Sequence, residues 1–301
     1  MQIIRNTDEM KPCALALGNF DGLHKAHVKI IKDCTAYAKA NKLMCGVFLF
    51  ENHTDEVCKG NKVELLTTLE EKISIIKSLG ADFIFVKHFD EETMNMNPED
   101  FFSYLCDKLL AKALFAGFDY TFGKKATGDV KTLLKKGKES DIFVKISDEI
   151  KINDKSVKSN AIRDFIKNGE IEKANEYLGR DYSISGIVSY GKQNGRRMGF
   201  PTANIDYDKN KLLPSDGVYK GVAKVEDREY QALINIGKNP TFNAGVRTLE
   251  AHLLGFCGDL YTKAITIEIR SKIRDEIKFN NIEELKEQIK RDIKSFADKE
   301  I

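Results

Sequence analysis

Two short stretches of this 301-residue chain combine residue types and spacings that suit phosphate chemistry. The first is Gly18-Asn19-Phe20-Asp21-Gly22-Leu23-His24-Lys25-Ala26-His27. Glycines directly after an apolar run let the backbone turn tightly into a following helix. A helix starting near Leu23 would aim its free N–H groups and the positive end of its dipole at that loop. His24 and His27 are three apart, so both can project from the first turn toward one anion. The chain holds five histidines, and two of them at such a turn say more than the spacing alone. The constellation suits a triphosphate, with Gly18, Asn19, Phe20 and Asp21 in the loop and the imidazoles stabilising charge at an attacked α-phosphate.

The second stretch runs from Gly191 through Lys192, Gly195, Arg196 and Gly199 into Phe200-Pro201-Thr202-Ala203-Asn204. Glycines four residues apart permit a flexible turn with backbone donors free for phosphate, assisted by Lys192 and Arg196. Pro201 fixes the chain ahead of two small oxygen-bearing side chains. Thr202 and Asn204 lie two apart, hence on one side of an extended segment. Two neutral oxygens suit Mg²⁺, which keeps waters and phosphate oxygens as its other ligands. Taken alone, an ordinary turn is the commoner reading of the same residues, so this stretch does not decide the matter by itself.

The elements that must position these residues fall into two halves. Strand-like runs at Cys13–Phe20, Leu43–Phe50, Ala81–Phe89, Lys112–Ala116 and Ile142–Ile146 alternate with helical periodicity at His24–Asn41 and Leu69–Leu79. Asn97-Pro98-Glu99-Asp100 is a further helix start, with a cap, an early proline and early acids. This order predicts a doubly wound parallel sheet, whose ligands sit at the carboxyl ends of the strands. The loops after Phe20 and Ala116 are therefore the important ones. Two short helices, Ser159–Asn168 and Glu170–Leu178, precede a change of character near Gly179-Arg180-Asp181. Beyond it come short strands at Tyr182–Tyr190, Gly217–Val225, Tyr230–Ile236, Glu250–Phe256 and Ala264–Ile273, and a helix from Ile282 expected to bury Leu285, Ile289, Ile293 and Phe296. The expectation is a small antiparallel barrel with a terminal helix. The boundary is expected near residue 180, giving domains 1–180 and 181–301.

Composition removes several alternatives. With 48 basic against 46 acidic residues the net charge is +2, which gives no electrostatic reason to expect nucleic acid or an anionic membrane. No apolar run approaches the length of a membrane span, and the charged start is unlike a signal peptide. Six scattered cysteines without a C-x-x-C pair suit reduced thiols in the cytoplasm better than a disulfide framework or zinc site.

The first stretch resembles the nucleotidyltransferase signature of bacterial bifunctional riboflavin kinase/FMN adenylyltransferases, also called FAD synthetases. Gly117-Phe118-Asp119-Tyr120-Thr121-Phe122-Gly123, continuing to Gly128-Asp129, is similar to that family's flavin-side loop. Arg163, closing Ser159-Asn160-Ala161-Ile162-Arg163, matches an arginine near the ATP phosphates. The second stretch, with Gly217-Val218-Tyr219, Asn235-Ile236-Gly237, Asn239-Pro240-Thr241-Phe242, Leu249-Glu250-Ala251-His252, Asp259-Leu260-Tyr261 and Arg274-Asp275-Glu276, resembles the riboflavin kinase domain in motif order.

The resemblance implies a kinase making FMN and ADP from riboflavin and ATP, and an adenylyltransferase making FAD and pyrophosphate from FMN and ATP. It implies Glu250 as general base, Ser159 and Arg163 at phosphate, and Thr202 and Asn204 at Mg²⁺. Gly117, Asp119, Phe122 and Arg274 would meet flavin, and His252 would be structural. Three departures stand out. Ala26 replaces a glycine, Val157-Lys158-Ser159-Asn160 replaces Ile-Ser-Ser-Thr, and Phe50-Glu51-Asn52-His53-Thr54 lacks flanking prolines. A monofunctional kinase with a degraded first domain, or a non-catalytic flavin-binding regulator, is the alternative at this point. Oligomeric state is not given.

Overall fold

The structure, a computed structural model, describes residues 1–60, 62–191, 195, 198–238 and 247–296. Two compact units are present, Met1–Ser159 and Asn160–Ile301.

The first unit is built on a sheet in which every paired strand is parallel. Its strands are β1 (Gln2–Ile4), β2 (Cys13–Leu17), β3 (Met44–Phe50), β4 (Phe83–Lys87), β5 (Ala111–Gly117) and β6 (Phe143–Ser147), in the order β1-β4-β3-β2-β5-β6. All five residues of β2 are buried, as a strand covered on both faces requires. Alternate residues feed two cores. Leu15 joins Phe48, Phe85 and Phe101 on one face, while Ala14 joins Ile30, Val47 and Phe115 on the other.

The helices of this unit are α1 (Lys25–Ala40), α2 (Thr54–Lys59), α3 (Leu69–Ser78), α4 (Glu91–Asn95), α5 (Pro98–Ser103) and α6 (Val130–Glu139). Thr68 and Glu71 form a capping box at the start of α3, and Asn97 caps α5 ahead of Pro98. A small hairpin of β7 (Lys151–Ile152) and β8 (Lys155–Ser156) follows β6. Strand order reverses at β2, whose neighbours are β3 and β5. The crevice outside its carboxyl end is the switch point where such sheets bind ligands.

The second unit begins at Asn160, within α7 (Ser159–Lys167), continues through α8 (Ile171–Leu178) and closes a six-stranded antiparallel barrel. Its strands are β9 (Tyr182–Ser189), β10 (Ala203–Tyr207), β11 (Gly217–Val225), β12 (Arg228–Lys238), β13 (Arg247–Leu253) and β14 (Ala264–Arg274), in the order β10-β13-β12-β11-β14-β9. Tyr219, Ala223, Ile234, Ala251 and Ile267 are fully buried inside it.

The helices at 159–178, placed ahead of the expected boundary at 180, group with the barrel. Asn175 is one reason: its Nδ2 donates to the Ile269 carbonyl at 2.9 Å, and its Oδ1 accepts from the Tyr182 amide at 2.8 Å. The terminal helix α9 (Ile282–Lys294) starts where expected, with Asn281 and Glu284 exchanging bonds. Its core-facing side differs. Leu285, Ile289, Ile293 and Phe296 are only half-buried, whereas Asp292 is buried. The expectation failed because Leu285 and Ile289 line an open cavity rather than a filled core.

Candidate active sites

In the first unit, the loop between β2 and α1 is held in a strained path. Phe20 and Leu23 have φ of 47° and 42°, on either side of Gly22 at 81°. Left-handed backbone at non-glycine residues costs about 1–3 kcal/mol each and persists where surroundings over-determine it. Here the surroundings are visible. Asp21 is buried, and its Oδ1 accepts from the amides of Leu66 and Thr67 at 3.1 and 3.2 Å. Thr67 Oγ1 accepts from the Gly22 amide at 2.9 Å, and Lys72 Nζ donates to the Asn19 carbonyl at 3.0 Å. Ser159 Oγ donates to the Asp21 carbonyl at 2.8 Å. Asp21 and Ser159, both expected at phosphate, are thus engaged in holding the loop. Thr67 and Lys72 were missed because nothing in local spacing ties them to residues about fifty positions earlier.

His24 is the N-cap of α1 rather than a residue of its first turn, so the helix starts two residues later than expected. His24 Nδ1 accepts from the His27 amide at 3.4 Å, which places the proton of a neutral imidazole on Nε2. The His24 and His27 rings stack at 3.6 Å between centroids, and Phe20 meets His27 edge-on at 5.2 Å. The two imidazoles therefore act as one block at the helix N-terminus.

Beside this loop lies a cavity of about 410 Å³ whose lining includes Asn19, Phe50, Phe89, Phe101, Tyr120 and Phe122. Asn52 fixes the Phe89 wall, its side chain bonding both the amide and the carbonyl of that residue at 2.9 and 3.0 Å. Phe122, one of the residues expected at flavin, lines this cavity. Gly117 and Asp119 are not among the lining residues; Asp119 instead pairs with Lys158 at 2.9 Å. Lys158, a departure in the sequence, also lies 5.0 Å over the Phe118 ring and so fastens the loop after β5. Arg163 belongs to the second unit, on α7, where Nη1 donates to Asn160 Oδ1 at 3.2 Å.

In the second unit, strand register assembles a belt around the barrel. Asn204 pairs with Glu250, Glu250 with Asn235, Asn235 with Val218, and Val218 with Arg274. Residues on either side of Glu250, namely Leu249 and Ala251, point into the barrel, so the belt faces outward. It floors a cavity of about 720 Å³ lined by Gly195, Thr202, Asn235, Glu250 and Arg274 from the barrel side, and by Leu285, Ile289 and Asp292 from α9.

Thr202 Oγ1 donates to Glu250 Oε2 at 3.4 Å. Burial pushes the Glu250 carboxyl above its usual range, and the Thr202 bond opposes this in part. Gly191 lies so close to Asn204 that a Cβ there would sit 2.1 Å from Asn204 Nδ2, and one at Gly195 would sit 2.4 Å from the Phe200 carbonyl oxygen. Gly191 thus lies against Asn204 and Gly195 against Phe200 and Thr202, while Gly199 has a left-handed φ of 87°. Lys192 and Arg196 lie outside the described residues. His252 Nδ1 is 2.7 Å from the Pro201 carbonyl, so it carries a proton and holds the segment before Thr202. Arg274, expected to meet flavin, gives its guanidinium to Asp292 at 2.8 Å.

Comparison with known proteins agrees with both halves. A FAD synthetase family model matches residues 6–161 and a riboflavin kinase family model matches residues 178–299. Bifunctional riboflavin kinase/FMN adenylyltransferases are similar over nearly the whole length. That of Bacillus subtilis is 36% identical, covering 95% of this chain and 92% of its own, and that of Escherichia coli K12 is 34% identical, covering 93% and 90%. A crystal structure described as a macrolide-efflux protein from Streptococcus pneumoniae superposes with a TM-score of 0.88 at 26% identity, covering 97% of each chain. Among the described residues, no helix is long and apolar enough to cross a membrane. With relatives above 30% identity aligned over most of their own length, and both family models matched in order, the chain belongs to the bifunctional riboflavin kinase/FMN adenylyltransferase family.

Proposed function

We propose that the chain makes FMN from riboflavin in its second unit and FAD from FMN in its first, consuming ATP at each site. The observation that carries the kinase reading is Glu250, an outward-facing carboxylate of raised pKa beside Thr202 and Asn204 at the floor of a flavin-sized cavity. Glu250 takes the proton of the terminal ribityl hydroxyl as that oxygen attacks the γ-phosphorus; the bond to ADP breaks and ADP leaves. Thr202 Oγ1 and the Asn204 side-chain oxygen suit Mg²⁺, being neutral oxygens beside Glu250, with Gly191 and Gly195 lying close against them. When bound, the ion neutralises charge on the transferred group. Gly191, Gly195 and Gly199 shape the glycine loop ahead of Thr202.

In the first unit, the phosphate of FMN attacks the α-phosphorus of ATP and pyrophosphate leaves, with no covalent enzyme intermediate. The His24–His27 block and the N-terminus of α1 stabilise the charge, and the aromatic cavity holds the isoalloxazine ring. Asp21, Ser159 and Lys72 act by fixing the loop. A cytoplasmic location follows from the same reading, supported by six free cysteines, among them Cys34 and Cys45 with their sulfurs 3.7 Å apart.

Purified protein given riboflavin, ATP and Mg²⁺ should form FMN and then FAD. FMN without FAD would favour a monofunctional kinase, and no ATP consumption would favour a flavin-binding regulator.

A further inference from the structure

Asp292 is the one buried residue among the thirteen of α9, at 3% exposure. A helix that buries an acid and leaves Leu285, Ile289 and Ile293 half-open is not attached in the usual way. Burying a carboxylate is costly unless it is paired and fully bonded, and here it is. Arg274 Nε donates to both oxygens at 3.1 Å, and Nη2 donates to Oδ2 at 2.8 Å. Gln288 Nε2, one turn earlier on the helix, donates to Oδ1 at 2.8 Å. Arg274 is itself fixed, with Nη1 donating to the Asp275 carbonyl at 3.0 Å and the Phe279 ring 6.0 Å from the guanidinium.

We propose that Asp292 is a positioning residue for the flavin substrate: through Arg274 it clamps the terminal helix to the barrel belt, so that Leu285 and Ile289 form one wall of the cavity. The inference rests on the kinase reading of that cavity. Arg274, which also lines the cavity, then serves riboflavin through the helix it holds. A bidentate pair suits this task because it fixes an angle as well as a distance. The apolar face of the helix is left for the ligand instead of being consumed in docking. Phosphate and metal are handled at the other end of the belt, by Thr202, Asn204 and the glycine loop, so the clamp bears on one substrate only.

The test is steady-state kinetics of the full chain carrying Asp292→Asn, which keeps the shape and removes the charge. KM for riboflavin should rise at least about tenfold, while KM for ATP and kcat of FMN formation stay within about threefold. FAD formation from FMN and ATP, in the other unit, should be unchanged and reports an intact first unit, while the retained kcat of FMN formation reports that the barrel is folded. Should Asp292→Asn lose that activity too, Gln288→Ala keeps the ion pair and removes one bond to it; it should raise riboflavin KM by about two- to fivefold with ATP KM unmoved. Parallel changes in both KM values and kcat, or a riboflavin KM that does not move in either variant, would overturn the proposal. Wild-type protein that forms no FMN from riboflavin and ATP would instead overturn the kinase reading beneath it.

Discussion

Glu250 must be ionised before it can accept a proton from a hydroxyl. Burial raises its pKa, so the ionised fraction at a given acidic pH is smaller than for a free glutamate. FMN formation should therefore rise with pH along a limb centred above the ordinary glutamate value of about 4.3. Glu250→Gln should lower kcat by about 10²–10⁴-fold and abolish that limb. A pH–rate profile of the kinase step checks both, and a limb at or below the ordinary value would count against the assignment. Gly191 makes a second residue-scale prediction. A methyl there meets Asn204 Nδ2 at 2.1 Å, so Gly191→Ala should displace Asn204 and slow ADP release from riboflavin and ATP by on the order of tenfold. That Thr202 and Asn204 share one side of the chain was legible because an extended segment puts alternate residues side by side; the metal role given to them belongs to the proposed reading. Thr67, Lys72 and Asp292 were not legible, since each acts on a residue that only the folded chain brings near.

His24 serves two elements at once, as the N-cap of α1 and as half of the imidazole block, and substitutions can separate the roles. His24→Ala should cost about 1 kcal/mol of stability through the lost cap and lower FAD formation by on the order of a hundredfold. Asparagine is a good cap, so His24→Asn should restore the stability and leave FAD formation low. Chemical denaturation and an FAD assay read the two effects independently; recovery of activity with asparagine would show that only the cap matters.

The elements themselves were largely readable. The parallel sheet announced itself in apolar runs spaced by amphipathic helices, and β14 in the alternation of Ile265, Ile267 and Ile269, all buried. β10 hid inside a motif that also reads as a turn. The inward face of α9 was misjudged because periodicity marks apolar positions and cannot say whether a core or a ligand will cover them.

At the scale of the whole molecule, the two reactions use different units and different residues, so they should be separable by mixing. Glu250→Gln protein keeps the first-unit site, and His24→Asn protein keeps the second. Neither alone should convert riboflavin to FAD, while a mixture should do so as released FMN passes between molecules. A mixture that stops at FMN would mean that the first unit accepts FMN poorly from solution. The barrel carries one more consequence. Its strands give alternate residues to the interior and to the belt, so Leu249 and Ala251 hold the fold while Glu250 is left on the belt for the proposed chemistry. A slip of one position in β13 would drive a carboxylate among Tyr219, Ile234 and Ile267 and turn three buried apolar residues, Leu249, Ala251 and Leu253, outward. Misaligned chains are thereby excluded from the folded population, and the barrel proofreads its own active site: molecules that fold at all carry Glu250 in place.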